Sequence, residues 1–303
     1  MRQRFSMIDF KPITLSDKPV FDQFFQQNTY RSSEWCFTNL YGWAHTFDTR
    51  YAVKDGFLLV KFMNLQGGCS FLKPFGTGDL KKIIEELIAD CGCRSNIELG
   101  AVTPDMREEI EALMPGVFVA TPIRDSFDYV YASEKLRCLK GKKLQSKRNH
   151  INRFKKENEW QYVSLNEHPE MIGACKEMLR QWYGNHVKAS EPSLIKDYTT
   201  TTRFLKNFKE LGLRGGAILV DNRVIAFSLG IRLSDDTFIV HVEKAFADIH
   251  GAYAIINQQF VEHEAAQFTY INREEDMGLE SLRKAKLSYR PDILLEKNRL
   301  KIP

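Results

Sequence analysis

The sequence predicts a mixed α/β chain of the α+β kind, and three observations carry that expectation. Two hairpin signatures lie far apart, at residues 51–60 around Lys54-Asp-Gly56 and at residues 215–231 around Asp221-Asn222. Asp-Gly tolerates the positive φ that a two-residue hairpin turn needs. Each hairpin precedes another apolar segment and then a stretch with helical spacing, so strands and helices interleave. The chain has 303 residues, 43% of them hydrophobic and 27% charged, enough to bury a large core in one big domain or two.

From the start, Thr14 or Ser16 can cap a helix carrying Val20, Phe21, Phe24 and Phe25. Residues 39–43 continue as an aromatic-rich helical segment. After the first hairpin, residues 69–72 add a third strand. A helix over about 79–90 places Leu80, Ile83, Ile84, Leu87 and Ile88 inward. A strand at 97–99, a helix at 104–113 and a strand at 117–120 complete the first half.

The character then changes. Residues 136–156 hold nine Lys or Arg and no acid. A weak helical period joins Leu144, Ile151 and Phe154, with Lys140 and Lys147 near that seam. Helices over about 170–187 and 193–211 lead to the second hairpin. Residues 238–245 read as a strand. On strict alternation Ile239, His241 and Glu243 share one face, and Lys244 points to the other. Gly251 opens a helix with the apolar stripe Ala252, Ile255, Ile256 and Phe260. A short strand at 269–272 and a helix with Leu282 and Ala285, stopped before Pro291, follow.

Composition excludes some classes. A net charge of +4 is too mild to imply a nucleic-acid partner without a local concentration of charge. No run reaches the eighteen or so apolar residues of a membrane span. The basic N-terminus lacks the apolar segment of a signal peptide, so a cytoplasmic location is expected. Six scattered cysteines suit free thiols, and the lone Cys91-Gly-Cys93 lacks the further ligands zinc needs, so no metal is expected.

Several motifs share a pattern: Glu243-Lys-Ala245, His250-Gly-Ala-Tyr253, Asn272-Arg-Glu-Glu-Asp-Met-Gly278 and Leu282-Arg-Lys-Ala-Lys-Leu-Ser-Tyr-Arg-Pro291. With them go Phe37-Thr-Asn-Leu-Tyr-x-Trp43 and Gly141-Lys-Lys-Leu-x-x-Lys-Arg-Asn-His150. Together they resemble the bacterial family sharing the C-terminal domain of phosphatidylglycerol lysyltransferases, related to the Fem peptidyltransferases. The resemblance covers nearly the whole chain. It implies two tandem GNAT-like acyltransferase domains, each a mixed, mostly antiparallel sheet flanked by helices. The first spans 1–132 and the second 133–303, beginning with the basic helix. In characterised relatives the donor is an aminoacyl-tRNA and the acceptor an amine or a lipid hydroxyl. The long membrane region of the lysyltransferases is missing here.

On that resemblance Glu243 stands where the fold places a general base; its other reading is a salt bridge to a nearby Lys or Arg. His241 suits proton transfer or a satisfied core position. Asn272, at a strand end, can orient a carbonyl. Lys244 can pair with a carboxylate or neutralise a phosphate. Acetyl-CoA enzymes of this fold carry Gln or Arg, two residues, Gly, one residue, then Gly or Ala. Counting from Gly251, this chain has Asp248 and Tyr253 at the outer positions. The first repels a pyrophosphate and the second crowds the loop, which disfavours acetyl-CoA or acyl-CoA. Tyr253 can instead stack on a tRNA base or be an interfacial core residue.

Arg273 and Glu275 can bind a donor amino group or a cationic acceptor, with Asp276 as a helix cap. Lys286 and Tyr289 are assigned to the site by the family positions alone. Lys142, Lys143, Lys147, Arg148 and Arg153 are candidate tRNA contacts, or else a solvated charged face. The leading expectation is a soluble aminoacyltransferase acting from aminoacyl-tRNA on a small-molecule, peptide or lipid-headgroup acceptor. The alternatives are a CoA-dependent N-acyltransferase and a catalytically silent RNA- or partner-binding module.

Overall fold

The computed structural model describes residues 7–63, 69–91, 97–186 and 192–303. Its first half runs β1 (Lys11–Pro12), α1 (Lys18–Phe25), α2 (Phe37–Phe47), β2 (Arg50–Lys54), β3 (Phe57–Met63), β4 (Cys69–Phe71), β5 (Phe75–Gly76), α3 (Leu80–Asp90), β6 (Glu98–Val102), α4 (Pro104–Leu113) and β7 (Val119–Pro122). Next come β8 (Asp128–Ala132), α5 (Ser133–Cys138), α6 (Gln145–Glu157), β9 (Trp160–Ser164), α7 (Ile172–His186), α8 (Pro192–Lys206) and α9 (Phe208–Leu211). The last third is β10 (Arg214–Val220), β11 (Arg223–Arg232), β12 (Thr237–Ala245), α10 (Ala252–Glu264), β13 (Tyr270–Asn272), α11 (Glu280–Leu287), β14 (Ile293–Leu295) and β15 (Asn298–Lys301).

Two compact units divide the chain. The first comprises residues 1–128, 275–278 and 295–303, the second 129–274 and 279–294. Where the sequence reading assigns everything after 132 to one domain, the last nine residues count with the first unit.

In the first unit the described strands follow the order β1-β2-β3-β4-β6-β15-β7, with β5 beside β3. Among the described pairings of that sheet, β4 and β6 run parallel and the others antiparallel. The β2–β3 turn is the expected one: Lys54 pairs with Phe57 across Asp55 and Gly56, whose φ values are 48° and 82°. The α3 helix begins where Asp79 accepts the Lys82 N–H at 2.9 Å and buries Leu80, Ile83, Ile84 and Leu87.

The second unit has the order β14-β8-β13-β12-β11-β10-β9, with β12 and β13 parallel. Asp221 and Asn222, both at positive φ, turn β10 into β11. Consecutive glycines on β10 show what covers each face. A Cβ on Gly215 would strike Phe208 of α9, whereas one on Gly216 would strike Tyr162, whose hydroxyl bonds Glu264 of α10 at 3.1 Å. The α9 side and the α10 side are therefore opposite faces. Two mixed sheets flanked by helices make this a mixed α/β protein, as the interleaved pattern implied.

Two local readings are corrected. The basic stretch is not one helix: α5 ends at Leu139 (φ 49°), Gly141 takes φ 89°, and α6 starts at Gln145. Asp276 does not cap α11, which has Leu279 at its N-cap; it accepts the Gly278 N–H at 2.9 Å and pairs with Arg124 at 3.1 Å. Cys36, Cys91, Cys138 and Cys175 are thiols, while Cys93 of the C-x-C pair lies outside the described residues. Among the described residues, no helix is long and apolar enough to cross a membrane.

Candidate active site on the second sheet

A register slip in β12 shapes this site. Leu229 of β11 pairs with Val242 and Gly230 with Val240, so His241 is an extra residue bulged out of the ladder. A bulge re-aims the side chains on either side of it. His241 packs on Phe204 of α8, ring centres 5.4 Å apart, whereas Glu243 bonds Asn257 of α10. The expected shared face of Ile239, His241 and Glu243 is thus overturned, because strict alternation cannot foresee the added residue.

Glu243 is gripped on both oxygens. Its Oε1 accepts from Arg273 Nη2 at 2.8 Å and its Oε2 from Asn257 Nδ2 at 2.9 Å, and Ser228 stands opposite it on β11. Its side chain keeps 14% of its exposure. Three buried polar atoms around it, Arg273 Nη1, Asn257 Oδ1 and Ser228 Oγ, have no hydrogen-bond partner among the described residues. Arg273 lies 5.7 Å from the Tyr131 ring and 5.0 Å from the Tyr289 ring. Burial works against its charge, but the Glu243 carboxylate and the two phenols outweigh it and hold the guanidinium above its ordinary pKa. Lys147 reaches the same Tyr289 ring, at 4.4 Å. Burial, and then Arg273, lowers its pKa, with Glu243 opposing.

Arg273 and Glu274 brace β12 from consecutive positions. Glu274 takes φ 59° and meets His241 Nδ1 at 2.7 Å, while Arg273 meets Glu243. Asn272 is fully buried and its Oδ1 accepts the Glu274 N–H at 2.6 Å, so it shapes this turn. Lys286 donates to the carbonyls of Arg273 and Glu274 at 2.6 and 3.1 Å, tying the same turn to α11. Lys244 pairs with Asp197 at 2.6 Å over the Trp182 ring at 4.2 Å. Trp182 Nε1 donates to the Tyr253 hydroxyl at 3.2 Å, and Tyr253 remains 38% exposed. Glu275 counts with the first unit, where its charge acts on Lys297.

The turn at Gly251 is packed against α6. Gly251 has φ 86°, and a Cβ there would lie 2.6 Å from the His150 carbonyl oxygen and 3.0 Å from Phe154. His150 and His250 share a hydrogen bond of 2.9 Å across this contact. Of the basic candidates, Arg148 is spent on the carbonyls of Leu139 and Gly141, the latter at 2.8 Å, and Arg153 on Glu157 at 2.8 Å. Lys142 and Lys143 are exposed in a single 3-10 turn. Lys147 stands apart from them, with the Glu243 cluster.

Sequence reasoning missed Asn257, Ser228, Glu274 and Asp197. Asn257 left a signal: it is a polar residue on the buried stripe of α10, beside Ile256 and Phe260.

Two mixed sheets flanked by helices define a mixed α/β protein. The family model described as "Phosphatidylglycerol lysyltransferase, C-terminal" matches residues 26–299, and the chain belongs to that family. A crystal structure of a conserved protein of unknown function from Bacteroides thetaiotaomicron is 38% identical; the match covers 98% of this chain and 100% of that one, with a TM-score of 0.90. L-PGS from Bacillus licheniformis shares the fold at 13% identity and a TM-score of 0.66, covering 98% of this chain and 94% of that one. An uncharacterised protein of Mycoplasmoides gallisepticum is 26% identical over 181 residues, 58% of this chain and 56% of that protein, so the match spans little more than half of that relative.

Proposed function

We propose that this chain is an acyltransferase working at the Glu243 cluster, and that it passes an aminoacyl group from tRNA to an amine or hydroxyl acceptor. The observation that carries the reading is a partly exposed carboxylate fixed on both oxygens by Arg273 and Asn257, among three buried polar atoms that lack partners. Membership in a family described by a lysyltransferase supports acyl transfer as the reaction class. A carboxylate offers about four lone-pair positions, so both oxygens of Glu243 can still take a proton.

In the proposed reaction the acceptor's lone pair forms the new bond to the acyl carbon while its proton passes to Glu243. The bond to the tRNA ribose oxygen then breaks, and that oxygen leaves with the proton. Lys142 and Lys143, exposed before α6, would meet the tRNA backbone. The CoA reading draws less support, since the turn where a pyrophosphate would approach is filled by the His150 carbonyl and Phe154.

A radiolabelled aminoacyl-tRNA transfer assay against cell-lysate fractions tests this. Glu243→Gln should lower transfer about a hundredfold or more while tRNA binding persists. Transfer at the unaltered rate would remove Glu243 from the chemistry. Binding without transfer by the unaltered protein would leave the silent module.

A further inference from the structure

We propose that Lys147 and Arg273 form a subsite for one singly charged oxyanion, over the Tyr289 ring beside Glu243. The inference rests on the acyl-transfer reading for its purpose, which is to hold an anionic group of the bound ligand, though not for its physical basis. Two cations share one phenol ring, at 4.4 and 5.0 Å, and the carboxylate beside them, Glu243, already accepts from Arg273 and Asn257. Lys147 makes no ion pair among the described residues, yet it is half-buried; burial and then Arg273 act against its charge, and Glu243, already held by Arg273 and Asn257, favours it. A cation kept in such surroundings without an ion-pair partner of its own is costly. A second observation points the same way: Arg273 Nη1 is a buried donor with no acceptor among the described residues.

Counting charges sets the ligand's valence. Lys147 and Arg273 bring two positive charges and Glu243 one negative, so a single negative charge completes the balance. A carboxylate or a phosphodiester group has that charge and offers two acceptor oxygens, one for each cation. Because Nη1 is shielded, the anion enters from the Lys147 side, where the flexible four-carbon stem can swing off the ring. The neighbouring His150 and His250 bond each other where α6 meets the Gly251 turn and leave this role to Lys147.

The test is an NMR titration of the isotope-labelled, full-length protein with two probes, acetate and dimethyl phosphate, and no tRNA. One or both should bind saturably with shifts at Lys147 and Tyr289; the probe that binds names the group. Lys147→Gln should weaken binding about tenfold, and Lys147→Arg, which keeps the charge, should restore it to within about threefold. No saturable binding by either probe, or equal binding by Lys147→Gln, overturns the subsite. Either result leaves the transfer assay with Glu243→Gln to be judged by itself.

Discussion

Lys297 shows at the scale of one residue how much electrostatic work the first unit buries. Its side chain is 1% exposed, and its ammonium donates to Asp128 and Glu34, both at 2.8 Å, and to Ser33 at 3.1 Å. Burial works to lower its pKa, but Asp128, Glu34 and Glu275 raise it well above the ordinary lysine value. Replacing it by Met should cost roughly 3–5 kcal/mol in urea unfolding, because Asp128 is left buried without its cation. The pH dependence follows from the direction of the shift. A raised folded pKa means the stabilisation is complete below the unfolded value of 10.5 and fades as pH rises through the higher folded value. Unfolding measured above pH 10.5 should therefore show a falling limb that Lys297→Met lacks. Nothing in the sequence marks Lys297 as buried, since lysines are seldom fully buried and its partners lie more than a hundred and fifty positions away in all three cases.

At the scale of elements, α6 and α10 meet at Gly251, and the contact needs a residue without Cβ. Gly251→Ala would place that Cβ 2.6 Å from the backbone oxygen of His150, in a left-handed conformation. Gly212→Ala, at the end of α9, meets the same left-handed penalty at φ 71° with nothing within 4 Å. Conformation alone costs about 1–2 kcal/mol. Thermal unfolding should therefore show a larger loss for Gly251→Ala than for Gly212→Ala, the excess reporting displacement of α6. A loss no larger than that of Gly212→Ala would show that α6 yields freely. Local chemistry read well where it acts alone: the Asp55-Gly56 and Asp221-Asn222 turns stand where expected, and α4 has its expected bounds at Pro104 and Leu113. The basic stretch read poorly because its charges masked Gly141, the residue that separates α5 from α6. The bulge at His241 was illegible, since it belongs to the pairing of β12 with β11 and not to either strand alone.

For the whole molecule, a formal charge of +4 hides an uneven distribution. Arg137, Lys140 and Arg153 are paired with Glu262, Glu134 and Glu157, which leaves Lys142 and Lys143 as exposed positive charge near the start of α6. Reversing both to Glu should weaken tRNA binding and lower the salt dependence of the affinity, by a slope of about 0.7 for each lost phosphate contact. An unchanged slope would place tRNA elsewhere. The alternation of strands and helices made the fold class legible, but strands as short and polar as Asn298–Lys301 carry no period of their own. That strand, β15, fills the gap between β6 and β7, pairing Leu300 with Leu99 on one side and with Ala120 on the other. During vectorial synthesis the nascent first sheet must therefore wait, with a missing inner rung, while some 170 further residues leave the ribosome, roughly ten to thirty seconds at ordinary elongation rates. Throughout that interval two unzipped strand edges stand open to chaperones or to neighbouring chains.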